Sequence, residues 1–98
     1  MSPNNKKKLL ILRKKLDKID DKLLNIIKIR SNYVKEVLSL KEFKREIIDR
    51  KRIKLILRTI QRKSIKKGID TNISKRIWKN MIYAFIEYEY RNFKKRNK

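Results

Sequence analysis

The sequence predicts an all-α chain of three helices with a very long first helix, assembled as an intertwined antiparallel homodimer. Three observations lead there. Apolar residues recur at three- and four-residue steps in three stretches, with no strand-like alternation. Punctuation is sparse, with one Gly and one Pro among 98 residues. The first periodic stretch is too long to be covered by the rest of its own chain.

That first helix is expected from about Asn5 into the low forties. Leu9, Leu12, Leu16, Ile19, Leu23, Ile26, Ile27, Val34, Val37 and Leu40 mark its stripe. "SPNN" supplies capping residues and a Pro before it. No Gly or Pro marks its end, which falls loosely near "KEFKRE". Some 36 residues at 1.5 Å each give roughly 54 Å, against a radius of gyration near ~13 Å for a compact 100-residue domain. Two shorter helices cannot cover that stripe. The simplest cover is a second, antiparallel copy related by a two-fold axis.

The second helix follows Asp49, carries Ile53, Leu55, Ile56, Leu57 and Ile60, and ends at "KKG" with Gly68 as the residue after the cap. The third starts at "DTN", where Asp70 or Thr71 can cap. Its stripe is Ile73, Ile77, Trp78, Met81, Ile82, Phe85 and Ile86, and it frays into "FKKRNK", with 94–98 a basic tail. There is no repeat and no linker, so residues 1–98 read as one domain.

Composition narrows the chemistry. Without Cys there is no disulfide, thiol nucleophile or thiolate metal site, and without His there is no imidazole base. The start, "MSPNNKKKLLILRKK", has four consecutive apolar residues. A signal peptide needs a run of roughly 7–15 and a membrane span about 20. A cytoplasmic protein with no membrane partner is expected. The net charge of +21 invites a nucleic-acid reading. The excess is mostly Lys, accompanied by abundant Ile and Asn, as an AT-rich genome would produce. Lys14, Lys15, Lys18, Lys22 and Lys28 form a basic face that serves equally as a solvated one. With no recognition-helix motif and the aromatics in the third helix, a basic nucleic-acid-binding protein is the lesser alternative.

Particular charges are more informative. Arg30 and Lys41 lie on the apolar stripe of the first helix, eleven residues and about 20° apart. Arg13 lies 17 residues before Arg30, about 25 Å away, and could reach a site only from a partner chain. Arg52 begins the second helix, and Glu89 shares the Trp78–Ile82–Phe85 face of the third. Inward cations need partners, and ten acidic residues are few. Asp20, on the apolar face, can pair with one arginine structurally; for the cations left over the missing anion is a ligand, and convergent cations suit a small dicarboxylate.

The string "LRKKLDKIDDKLLNIIKIR…VLSLK…IIDRKR" resembles the all-helical chorismate mutases over about residues 9–92. Their first helix has an Arg, then Leu/Ile-Asp-x-x-Leu-Leu, a second Arg, and a Lys eleven residues on. An Asp follows after a loop, with an Arg three residues later. The resemblance implies that Arg13 binds a substrate carboxylate from the other protomer and Arg30 binds one within its own site. It implies that Lys41 bonds the breaking ether oxygen and a carboxylate, with Glu89 facing that oxygen. Asp49 and Arg52 would line the ring and hydroxyl side, and Val37 and Ile82 would pack on the ring. Each has a plainer reading as well: Asp49 as a helix cap, Glu89 as the partner of a nearby Lys. Two departures stand out. Ile53 replaces a Glu that binds the ring hydroxyl in many members, and Phe85 replaces a small hydroxyl residue near a carboxylate. Ile53 and "RSNYVK" look more like the isochorismate-pyruvate lyases, which stay open as an alternative. The chemistry implied is a pericyclic rearrangement of chorismate to prephenate, serving aromatic amino-acid biosynthesis. It needs no metal and no cofactor, and it rests on orientation and on stabilising charge at the ether oxygen.

Overall fold

The computed structural model describes residues 1–94; the expected basic tail, 94–98, lies outside this range except for Lys94. Among the described residues there are three α-helices and no strand: α1 (Pro3–Leu40), α2 (Arg50–Lys67) and α3 (Thr71–Asn92). A short 3-10 turn, Lys44–Glu46, lies between α1 and α2. The chain divides into two units, Met1–Tyr33 and Val34–Lys98, and α1 runs through the boundary.

α1 begins two residues earlier than the sequence reading placed it. The Ser2 hydroxyl accepts a hydrogen bond from the Asn5 N–H at 3.1 Å. Pro3 therefore occupies the first helical position, where its missing N–H costs nothing and its fixed φ suits the turn. In the first unit α1 has no buried residue. Leu12, Leu16, Ile19 and Leu23, spaced four, three and four, are all about half exposed.

In the second unit α2 and α3 pack on one another. The Asp49 carboxylate caps α2 by accepting from the Arg52 N–H at 3.0 Å. Gly68, at φ +69°, ends it in the left-handed conformation that glycine adopts without steric cost. The Gly68 N–H donates to the Ile65 carbonyl at 3.1 Å and the Ile69 N–H to that of Ser64 at 2.9 Å, which closes the helix end. The Asp70 carboxylate caps α3 through the Asn72 N–H at 2.8 Å. Three residues thus turn one helix into the next. Ile53, Ile56, Leu57 and Ile60 of α2 and Trp78, Met81, Phe85 and Ile86 of α3 are half-buried. The hydroxyls of Ser64 and Ser74, both buried, share a 2.8 Å hydrogen bond between the two helices. Ile47 and Ile82 are the most deeply buried apolar residues. Among the described residues, no helix is long and apolar enough to cross a membrane.

Candidate active site

Lys41 sits one residue beyond the end of α1. Its backbone N–H donates to the Leu38 carbonyl at 3.1 Å, which tightens the last turn and fixes where the side chain starts. Glu89 comes from the face of α3 that carries Trp78, Ile82 and Phe85, four-, three- and four-residue steps that stack on one side of a helix. The two side chains meet. Lys41 Nζ donates to Glu89 Oε2 at 2.8 Å, with 16% and 10% of the respective side chains exposed. A carboxylate this buried needs a partner, and the ammonium supplies it. An ammonium has three donors, and one of them goes to Glu89.

Lys41 also borders two depressions in the second unit. One, of about 500 Å³, includes Asp49, Glu46, Arg50 and Lys51. The other, of about 470 Å³, includes Lys35, Leu38, Tyr88 and Asn92. Lys41 is thus hydrogen-bonded to Glu89 and shares a depression with Asp49. Asp49 fills its plainer role too, since one of its oxygens caps α2. Arg52 is exposed, Ile53 and Phe85 are half-buried, and Ile82 is buried in the hairpin. Val37, one turn before Lys41, is half exposed. Arg13 and Arg30 belong to the first unit: Arg13 is exposed and Arg30 half-buried.

The sequence reading passed over Lys35, Leu38, Tyr88 and Asn92. A signal existed. Lys35 and Leu38 precede Lys41 by six and three residues, and Asn92 follows Tyr88 by four. Stepping by threes and fours from the known positions would have found them.

The chain is thus all-helical among its described residues, with a largely buried ion pair joining the residue after α1 to α3. The family model for chorismate mutase type II matches residues 12–90, and the chain belongs to that family of intramolecular isomerases. Neither the curated proteins nor the solved structures yield a match to the chain.

Proposed function

We propose that the chain rearranges chorismate to prephenate within aromatic amino-acid biosynthesis. The observation that carries this reading is the buried 2.8 Å pair of Lys41 and Glu89, at the two positions where the family resemblance puts the groups facing the ether oxygen. A water-poor ammonium aimed at a developing negative charge is worth far more than the same group in water. Lys41 stabilises the ether oxygen as the C–O bond breaks. Glu89 holds Lys41 in place and faces the same oxygen. Arg30 and a partner's Arg13 clamp the two carboxylates and hold the enolpyruvyl arm over the ring. Asp49 and Arg52 line the hydroxyl side, while Val37, Ile82 and Phe85 supply apolar wall. A rate gain of ~10⁶ needs about 8 kcal/mol, within reach of orientation and preorganised cations together.

In this reading the working unit is a homodimer. Its support is the exposed stripe of α1 in the first unit, because a contiguous apolar strip of this kind marks an interaction surface. A second reading is favoured by one residue. Ile53, half-buried at the start of α2, offers no hydrogen bond to a ring hydroxyl, which suits an isochorismate-pyruvate lyase on the same frame. Purified protein incubated separately with chorismate and isochorismate decides between them. Prephenate from chorismate is the expected product. Pyruvate and salicylate from isochorismate, without prephenate from chorismate, would replace the mutase reading with the lyase.

A further inference from the structure

We propose that the groove between α2 and α3 is a second binding site, and that it takes a small phosphorylated anion. The groove has a volume of about 390 Å³ and is lined by Lys54, Arg58 and Gln61 of α2 and by Thr71, Asn72 and Lys75 of α3. It shares no residue with the depressions that border Lys41. Three cations face one small volume and no acidic residue lines it. Like charges gathered at a concave surface repel one another, and an anion in the groove relieves that repulsion.

On α2, Lys54 and Arg58 stand four residues apart, both are exposed, and the helix has no acidic residue to offset them. Like charges four apart destabilise a helix, so folding alone does not favour the pair.

The donor set selects the ligand class. Arg58 presents a planar fork that engages two phosphate oxygens at once. Lys54 and Lys75 are point charges that tolerate several directions of approach. Gln61, Asn72 and Thr71 offer neutral donors for further oxygens. Asp70 already occupies the Asn72 N–H, so side chains, and not the helix terminus, make the site. A volume of this size lies at the small end of ligand pockets. It suits a compact phosphate ester or diphosphate, not a long polymer.

Isothermal titration of the full chain with pyrophosphate, in a phosphate-free buffer, tests the assignment without reference to catalysis. The expected result is saturable binding of one pyrophosphate per chain. Arg58→Ala and Lys75→Ala, both at exposed positions, are each expected to weaken it about tenfold or more, as loss of one charge-assisted hydrogen bond does. Arg62→Ala removes a charge from the same helix outside the groove and should leave the affinity within about twofold, since an exposed charge acts weakly at a distance. Circular dichroism checks that each variant is folded. Four results would each overturn the proposal: no saturation at millimolar pyrophosphate, equal weakening by Arg62→Ala, succinate binding as tightly as pyrophosphate in a manner that needs Arg58, or displacement of pyrophosphate by a short DNA duplex in a manner that needs Arg62 as much as Arg58. Failure here leaves the mutase reading untouched, because the two sites share no residue.

Discussion

Lys41 Nζ and Glu89 Oε2 lie 2.8 Å apart, and that bond changes what removing Lys41 should do. From sequence alone Lys41 is a cation aimed at a ligand, and its loss should spare the fold. In the structure Glu89, 7% exposed, depends on it. Lys41→Ala leaves a buried carboxylate without its partner, a cost of roughly 1–3 kcal/mol or more. Both a lowered melting temperature and a fall of about 10²–10³ in kcat/KM are therefore expected. Thermal denaturation and steady-state kinetics on the same preparation separate the two effects. Lys41→Gln, which can still donate to Glu89, should recover much of the stability and little of the activity. If Lys41→Gln is as unstable as Lys41→Ala, the pair is not what holds this region.

The other half of the pair makes a different test. A carboxylate can only accept hydrogen bonds, whereas the protonated acid can donate to an ether oxygen. Glu89→Gln is a permanent donor of similar shape, and its amide carbonyl can still accept from Lys41. Glu89→Ala can do neither. If a donor at this position serves the reaction, Glu89→Gln should keep most of the parental kcat while Glu89→Ala loses it. Steady-state kinetics on both variants decides it. Equal losses in the two would restrict Glu89 to holding Lys41 through its charge.

At the scale of elements, legibility tracked how local the cause was. Asp49, Gly68 and Asp70 act on backbone within three or four residues; the sequence placed the first two at the right helix ends and narrowed the third cap to Asp70 or Thr71, of which the structure uses Asp70. The start of α1 was read late, because Pro3 looked like a barrier before the helix and is in fact its first residue. The end of α1 carried no local signal. Leu40 is the last helical residue, Phe43 is extended, and Arg45 lies over its ring at 4.4 Å. Ile47, 4% exposed, anchors the connection, and Lys41 is tied to a residue 48 positions away. Those are long-range causes, invisible to a scan for caps. The inward aim of Glu89 was legible from its spacing with Phe85 and Ile82; its pairing with Lys41 needed the fold. Gly68 offers the element-scale test. A Cβ there would meet nothing within 4 Å, so Gly68→Ala adds only the strain of a left-handed L-residue, about 1–2 kcal/mol. The melting temperature is expected to drop by roughly 4–8 °C per kcal/mol for a domain of this size. An unchanged melting temperature would mean that the α2–α3 turn relaxes without cost.

For the molecule as a whole, the decisive question is whether a site draws Arg13 from a second chain. Leu12, Leu16, Ile19 and Leu23 are 48–57% exposed on α1, and burying such a side chain contributes roughly 1.5–3 kcal/mol. Light scattering should report a mass of two chains, and Ile19→Asp should lower it by placing a charge in the apolar strip. Dimerisation alone does not show that Arg13 crosses the interface, but mixing two inactive variants does. Arg13→Ala lacks the donated cation in every site, and Lys41→Gln lacks the ether-oxygen cation. Neither pure protein should turn over chorismate appreciably. Unfolded together and refolded, the chains pair at random, and about half of the dimers are mixed. In a mixed dimer one site combines an intact Lys41 with an intact Arg13 from the other chain, while the second site carries both lesions. If Arg13 acts across the interface, the mixture should recover about one quarter of the parental kcat at equal total chain. If Arg13 acts within its own chain, each site in the mixed dimer keeps one lesion and no activity returns. A refolded mixture that scatters as a dimer and stays inactive would remove Arg13 from the partner's site.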